Sequence, residues 1–427
     1  MKRTLMLSLA MLLITQFTFA QRTFIHAGKL IDVKNNQMLS EMTIIIEGEV
    51  ITEVQKGYTT PGRSDILIDL KTKTVMPGLM DMHVHMENET SPRRYLDRFV
   101  DNEADIAFNS VIFAKTTLMA GFTTVRDLGG SGVNISLRNA INAGKVEGPR
   151  IITSGKSIAP TGGHADPTNG MRRDLMGDPG PEIGVINGVA DARKAVRQQV
   201  KNGSDVIKIT ATGGVLSVAK DGNAPQFQQD EINAVIETAT DFGIHVAAHA
   251  HGDEGMKRAV IGGVHSIEHG TYMSEETMDM MIKAGTWYVP TITAGKSVAD
   301  YARIPGYYPA PVKTKAETIG PLIQSTFEKA YKRGVKIAFG TDAGVFPHGE
   351  NYREFLYMTE VGMPNLEAIQ TATLRSAELL GMEDKIGSIE KGKLADIIAV
   401  SGDPGKDINV MKDVIFVMKE GKVYRMD

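Results

Sequence analysis

The sequence predicts an α/β protein in which a (β/α)8 barrel is joined to a small β-sandwich domain built from both chain ends. Three observations predict this fold: apolar strand-like segments alternate with helical patterns through the middle of the chain, β-rich segments occupy both ends, and polar residues close several of the central strands. The 427 residues exceed the size at which one hydrophobic core keeps growing, so a barrel with an appended domain is expected.

Composition narrows the functional classes. Hydrophobic residues make up 42% of the chain and charged residues 23%, which is typical of a globular protein. A net charge of -4 with mixed signs provides no basic stripe, so nucleic-acid binding is not expected. Cysteine is absent, which removes disulfides and thiolate chemistry. The expected partner is a small-molecule or short-peptide substrate, and a homo-oligomer remains open.

The first twenty residues predict a signal peptide. A basic start precedes the apolar run 5–14, and Thr18 and Ala20 are small residues that suit cleavage before Gln21. The run is short for a bilayer span, so export to the periplasm or the outside, with no membrane attachment after cleavage, is expected. An uncleaved anchor is the alternative.

The two chain ends are expected to form one β-sandwich domain from residues 21–76 and 382–427. Both regions contain short β segments separated by turns with Gly, Pro or Asp. Chain termini commonly lie close together, which favours a composite domain. The segments are 43–46, 50–54, 66–70, 395–400 and 414–418.

The central region, residues 77–381, contains eight candidate strands over about 300 residues, which matches a (β/α)8 barrel. A doubly wound open sheet is the alternative. It is disfavoured because polar residues sit at the carboxyl ends of many strands, as the active face of a closed barrel requires. The strands are residues 78–84, 123–127, 150–154, 205–210, 245–249, 266–269, 286–290 and 336–341.

A histidine pair, His83 and His85, closes the first candidate strand. The two residues are separated by one position, so both side chains point to the same face of the strand. Two imidazoles in a dry interior cost desolvation unless a partner satisfies them, and a divalent metal does so by binding their neutral nitrogens. Two ordinary hydrogen-bonded histidines are the alternative.

Three further residues are expected at the same rim. His249 and His269 close strands five and six, and Asp342 follows strand eight. The carboxylate of Asp342 could ligate a metal and accept a proton from bound water.

Lys208 lies in the middle of the fourth strand. Alternation could direct its ammonium into the barrel, where an unpaired lysine is strongly disfavoured. Burial lowers the pKa of the amine, which could then react with carbon dioxide to form a carbamate able to bridge two metals. A lysine paired with Asp205 or another acid is the alternative.

Two more histidines are candidates for substrate binding. His164 follows strand three in a Gly-rich loop and could bind a substrate carboxylate or a developing oxyanion, although a solvated loop histidine fits equally. His251 lies two residues beyond His249 and points to the same side if the strand continues.

The combined set resembles the ligand set of the amidohydrolase superfamily. The resemblance starts at Val75-Met76-Pro77-Gly78, runs through Gly392-Lys393-Leu394-Ala395-Asp396, and covers nearly all of the mature chain. The motifs Thr161-Gly162-Gly163-His164 and Ile267-Glu268-His269-Gly270 resemble the imidazolonepropionase-related branch, which includes prolidase-like dipeptidases and carboxypeptidases. The residues of the set are His83, His85, Lys208, His249, His269 and Asp342.

The resemblance implies a binuclear site with two divalent ions, expected to be zinc. By position, His83 and His85 would hold one ion with Asp342, His249 and His269 would hold the other, and carbamylated Lys208 would bridge them. It implies hydrolysis of amide C–N bonds by metal-activated hydroxide, with Asp342 moving the proton to the leaving nitrogen.

The sequence therefore predicts an exported dipeptidase, carboxypeptidase or N-acyl amino-acid hydrolase. A cyclic-amide or imidazolone ring hydrolase is an alternative, but imidazolone-cleaving members commonly lack the strand-four lysine, so Lys208 argues against it. A non-catalytic binding barrel is a further alternative, although such a protein would be expected to lose ligands.

Overall fold

The structure is a computed structural model that describes residues 21–218 and 222–427. The predicted signal peptide lies outside the described residues. Among the helices that the structure describes, none has the length and apolar composition needed to cross a membrane.

The described strands are numbered β1–β16 in chain order. They are β1 (Arg22–Asp32), β2 (Gln37–Glu47), β3 (Val50–Lys56), β4 (Ile66–Pro77), β5 (Leu79–Val84), β6 (Phe122–Asp127), β7 (Arg150–Thr153), β8 (Ala159–Pro160), β9 (Val185–Ile186), β10 (Ile207–Thr210), β11 (Val246–Ala250), β12 (Ser266–His269), β13 (Trp287–Val289), β14 (Ile397–Val400), β15 (Val414–Lys419) and β16 (Lys422–Met426).

The described α-helices are numbered α1–α13, and single 3-10 turns lie at Pro181–Ile183 and Ile408–Lys412. The helices are α1 (Arg94–Val100), α2 (Glu103–Met119), α3 (Val133–Asn142), α4 (Arg173–Met176), α5 (Val189–Asn202), α6 (Gln229–Asp241), α7 (Asp253–Gly262), α8 (Glu275–Ala284), α9 (Ile292–Ala302), α10 (Ala310–Arg333), α11 (Arg353–Glu360), α12 (Asn365–Thr371) and α13 (Leu374–Leu380).

Strands from both chain ends form one seven-stranded mixed sheet in the order β16-β15-β14-β4-β1-β2-β3. The two ends meet where β4 pairs antiparallel with β14. Ile25, Ile44, Val75, Ile397 and Phe416 are fully buried in one apolar cluster that draws on both ends. Neither end could bury these side chains alone, so the ends depend on each other.

The central strands run parallel in two groups, β5-β6-β7 and β10-β11-β12-β13. Isolated parallel bridges extend the pairing beyond these groups and join Ile158 to Ile209 and Val84 to Ala343. Every residue of β5, β6, β10, β11 and β12 is buried, as expected for parallel strands covered on both faces. The carboxyl ends of these strands therefore meet at one face.

The last predicted strand, residues 336–341, differs from the prediction. Among the described residues it forms an isolated bridge between Ile337 and Tyr288 rather than a ladder. The N–H of Thr341 donates to the side chain of Asp81 at 3.0 Å. Because this donor goes to a side chain, the segment forms no regular ladder. Backbone hydrogen bonds still join it to β5, from Met82 N–H to the Phe339 carbonyl at 2.8 Å and from Asp342 N–H to the His83 carbonyl at 2.7 Å.

Helix α9, which lines the central cavity, begins at a buried carboxyl group. Glu354 is fully buried and accepts hydrogen bonds from the N–H groups of Ile292 and Thr293 at 2.8 and 2.7 Å. These are donors that a helix start leaves unpaired. Burial raises the pKa of Glu354 to about 8, and the nearby Asp81 adds to the rise.

This raised pKa predicts a pH-dependent stability. A group whose folded pKa exceeds its unfolded value contributes stability below the unfolded pKa, which for Glu354 is 4.5, and this contribution is lost as the pH rises through about 8. Between these values the free energy of unfolding should fall by about 1.4 kcal/mol per pH unit on account of this group. The free energy of unfolding, measured with urea from pH 5 to 9, should depend less steeply on pH in Glu354→Gln than in the wild type.

The exposed Glu378 provides the matched control. Glu378→Gln should retain the wild-type pH dependence of unfolding. Identical slopes in the wild type and Glu354→Gln would contradict the assignment.

Candidate active site

A cavity of about 710 Å³ opens at the carboxyl ends of the parallel strands. All eight candidate site residues from the sequence contribute to its lining. They are His83, His85, His164, Lys208, His249, His251, His269 and Asp342.

The histidine pair of β5 meets Asp342. Nε2 of His85 lies 3.3 Å from Oδ1 of Asp342, and Nε2 of His83 lies 3.7 Å from the same oxygen. Burial alone would raise the pKa of Asp342, but the two histidines lower it, so this group is a carboxylate. Oδ1 is buried without a hydrogen-bond partner among the described residues, which leaves it available to a cation.

Glu268 orients His83, a role that the sequence did not indicate. Its Oε2 lies 3.0 Å from Nδ1 of His83, while its Oε1 accepts from Arg126 at 2.9 Å and Ser266 at 2.5 Å. Burial would raise the pKa of Glu268, but Arg126 and His83 bring it to about 2. A carboxylate on Nδ1 holds that nitrogen as the donor and leaves Nε2 free to ligate.

Two site residues have a left-handed backbone. His269 has a φ of 71° and Asp342 a φ of 61°, and each conformation costs a non-glycine residue about 1–2 kcal/mol. Strand alternation alone would send Glu268 and His269 to opposite faces. Because the backbone turns at His269, both side chains reach the site.

A second group of histidines lies beside the first. One ring nitrogen from each of His249, His251 and His269 falls within 4.8 Å of the others, and a corresponding group contains His83, His269 and Asp342. The shared His269 links the two groups. His251 therefore stands among possible metal ligands, whereas the sequence suggested substrate contact alone.

The rings of this second group are held by neighbouring oxygens. Nδ1 of His269 lies 2.8 Å from Oγ1 of Thr291, and Nδ1 of His251 lies 2.8 Å from Oγ1 of Thr271. Nε2 of His249 lies 3.1 Å from the carbonyl oxygen of Gly213. In each ring the other nitrogen remains for a ligand.

Burial favours the neutral form of the site imidazoles, although at His85 it is outweighed by Asp342, which raises the pKa of that ring. Burial, followed by Lys208, lowers the pKa of His83 to about 4, and burial lowers the pKa of His251 to about 4. Burial also lowers the pKa of His249 and His269 well below the usual value. Neutral nitrogens next to a carboxylate with a free oxygen fit divalent cations such as zinc.

Lys208 is 3% exposed, and its Nζ lies 3.4 Å from Nε2 of His83. The alternative in which Asp205 neutralises it is wrong, because Asp205 pairs with Arg138 at 2.5 Å. Burial lowers the pKa of Lys208 to about 8, although Glu268 and Asp342 oppose the fall. The lysine is thus an internal amine facing the metal-binding histidines.

His164 packs against the site rather than lying in a solvated loop. Its ring stacks on His249 with centroids 4.4 Å apart. A Cβ at Gly214 would lie 2.2 Å from the His164 ring, so only glycine leaves room for it. Nδ1 of His164 is buried without a hydrogen-bond partner among the described residues, and burial lowers the pKa of His164 to about 3.

Asp81 fixes the segment that carries Asp342. It is fully buried and accepts hydrogen bonds from the N–H groups of His83 and Thr341, both at 3.0 Å, and from Asn351 at 2.7 Å. Its side chain therefore ties β5 to the Asp342 segment.

Comparison with known proteins gives the family. The amidohydrolase family model matches residues 74–424. Ochratoxinase from Aspergillus niger is 30% identical over 432 residues, which cover 95% of this chain and 87% of that protein.

Solved structures agree with the family match. A Xaa-Pro dipeptidase with bound methionine in its active site superposes with a TM-score of 0.93 and 54% identity, covering 95% of this chain and all of that one. A prolidase in complex with N-methylphosphonate-L-proline gives a TM-score of 0.87 and 31% identity over the same shares. The resemblance inferred from the sequence is confirmed. The chain belongs to the amidohydrolase family and is a hydrolase of carbon–nitrogen bonds.

Proposed function

We propose that this protein is an exported binuclear metallohydrolase that cleaves the amide bond of dipeptides or N-acyl amino acids. The observation that carries the proposal is the convergence of neutral histidines, a free carboxylate oxygen and a buried lysine on one cavity. The parallel strands and the bridges between them support a closed (β/α)8 barrel around this cavity.

Two divalent cations, with zinc as the expected element, are proposed at this site. His83, His85 and Asp342 would hold one and His249 and His269 the other, with His251 and its free ring nitrogen beside the second. Such ions would polarise the scissile carbonyl and activate a water molecule.

The protein's own groups supply the remaining chemistry. Asp342 accepts the proton of the attacking water and passes it to the leaving nitrogen. His164 lies on the cavity wall beside His249 and has an unpaired nitrogen for the substrate. Glu268 keeps His83 oriented throughout.

We also propose that Lys208 carries a carbamate, which would supply oxygen ligands to the two ions. The neutral amine attacks carbon dioxide, a nitrogen–carbon bond forms and one proton leaves. The observations that support this are the burial of Lys208, its contact with His83, and the absence of an acid within ion-pair distance among the described residues.

The cavity lining suits a substrate with an apolar side chain. Ala294, Val298, Ile319, Ile323 and Val345 contribute apolar surface. An uncharged side chain bound here gains burial without losing hydration of a charge. The similarity to a Xaa-Pro dipeptidase with bound methionine and to a prolidase supports dipeptides as the first class to test.

A substrate screen tests the function. Purified protein loaded with zinc should hydrolyse apolar dipeptides or N-acyl amino acids, and the same protein stripped by a chelator should not. Metal analysis should give two equivalents per chain. Ring opening of a cyclic amide with no turnover of any dipeptide or acyl amino acid would overturn the proposal, as would failure to bind metal.

Export is the remaining part of the proposal. It rests on the composition of residues 1–20. N-terminal sequencing of protein recovered from the cell envelope or medium should begin at Gln21, and an intact Met1 on all of the protein would contradict cleavage.

A further inference from the structure

The start of α1 brings to the cavity a half-buried guanidinium with one unpaired nitrogen. Arg94 lines the cavity, and its Nη1 is buried without a hydrogen-bond partner in the part of the chain that the structure describes. Among the described residues no carboxylate lies within ion-pair distance of its guanidinium, although the Tyr95 ring lies 5.9 Å away. A buried charged donor left unpaired is costly, so the free protein holds this group ready for an acceptor.

The two neighbouring arginines, Arg93 and Arg98, have partners within the protein. Arg93 does not contribute to the cavity lining and pairs with Asp97, with Nε and Oδ1 3.4 Å apart. Arg98 lines the cavity one helical turn beyond Arg94 and donates to the carbonyl oxygens of Pro167 and Asn169. Burial lowers the pKa of Arg98, and the charge of Arg94 lowers it further, whereas Asp166 opposes the fall.

The described acids of the same lining do not pair with Arg94, and Asp97 among them pairs with Arg93. Glu89 accepts from the N–H of His348 at 2.8 Å, and Asp166 accepts from the N–H groups of Gly162 and Thr168 at 2.8 and 2.9 Å. Asp101 lies exposed beyond the end of α1. Among the described residues no carboxylate pairs with Arg94, which points to a ligand as its acceptor.

The chemistry of the ligand follows from the site in which Arg94 lies. A guanidinium presents paired donors that match the two oxygens of a carboxylate. A dipeptide or N-acyl amino acid carries a free α-carboxylate on the amino acid that leaves after cleavage. We infer that Arg94 binds this α-carboxylate, so that the enzyme acts on the C-terminal amide bond of short substrates. The inference rests on the proposed function and deepens it.

Matched substrates test the inference. The wild type should cleave an apolar dipeptide with a free carboxylate roughly 10- to 100-fold more efficiently, by kcat/KM, than the same dipeptide with a C-terminal primary amide. Arg94→Gln should lose this preference, because it slows cleavage of the acid far more than cleavage of the amide. Arg94→Lys keeps the charge but loses the paired donors, so its preference for the acid should lie between those of the wild type and Arg94→Gln. Arg93→Gln is the control and should keep the wild-type ratio.

Product binding gives a readout without turnover. Calorimetry should detect binding of the free apolar amino acid to the wild type and to Arg93→Gln. Arg94→Gln should bind the same amino acid at least ten-fold more weakly, and the wild type should bind the amino-acid amide at least ten-fold more weakly. If Arg94→Gln slows both substrates equally or binds the free amino acid normally, the inference is wrong.

The two proposals fail in different ways. A wild type that hydrolyses no amide contradicts the proposed function, while calorimetry still decides whether Arg94 binds a carboxylate. A wild type that cleaves the acid and the amide equally well contradicts the inference alone. Each Arg94 variant should have the metal content and the circular dichroism spectrum of the wild type. These two controls separate loss of carboxylate recognition from loss of folding.

Discussion

Asp342→Asn is expected to lower kcat for amide hydrolysis by roughly 100- to 10,000-fold, the usual contribution of a positioned acid or base. Asparagine has nearly the same shape and keeps an oxygen, but it cannot take up a proton. In the structure Oδ1 is buried, lacks a hydrogen-bond partner among the described residues, and lies 3.3 Å from Nε2 of His85. No other carboxylate contacts both His83 and His85 in the described part of the chain.

Metal analysis separates the two roles of Asp342. Turnover that falls while the variant keeps its metal identifies proton transfer, and parallel loss of both identifies ligation. Asp384→Asn changes the same residue type at an exposed position and should leave kcat unchanged. Wild-type turnover in Asp342→Asn would refute both roles.

The sequence was sufficient to predict which residues meet, because strand periodicity and strand ends carry that information. His83 and His85 share a face through simple alternation, and His249 and His269 end neighbouring parallel strands. These features depend on local spacing and on one topological rule, so they are readable without coordinates.

The orientation of the site was not predictable in the same way. Glu268 would face away from His269 in a regular strand, and the left-handed backbone at His269 reverses that expectation. The support that Asp81 gives to Thr341 joins positions 260 apart in the chain. Arg94 carries no sequence signal, because its significance is a nitrogen, Nη1, that finds no hydrogen-bond partner among the described residues.

The second large effect is expected for Lys208→Met, which should lower the metal content and reduce kcat/KM by more than 100-fold. This loss exceeds the usual effect of removing a residue that only hydrogen-bonds to a metal ligand. Methionine fills a similar volume but provides no amine for a carbamate. Wild-type protein exchanged into buffer free of carbon dioxide should lose activity and regain it when bicarbonate is added. After labelling with ¹³C-bicarbonate, the NMR spectrum of the wild type should show a carbamate resonance that the spectrum of the variant lacks. Unchanged metal content and rate in Lys208→Met would refute the carbamate.

Lys419 offers a matched control for the burial of a lysine. It is 5% exposed, as Lys208 is 3% exposed, but it donates to the carbonyl oxygen of Gly148 at 2.9 Å and lies on β15, away from the cavity. Lys419→Met should keep metal and rate but lose stability, because it leaves that buried carbonyl without its donor. Lys208→Met removes a buried cation that has no acid partner among the described residues. The metal-free variant should therefore be at least as resistant to urea as the metal-free wild type. Opposite responses at two equally buried lysines would show that Lys208 is kept for metal binding at a cost in stability.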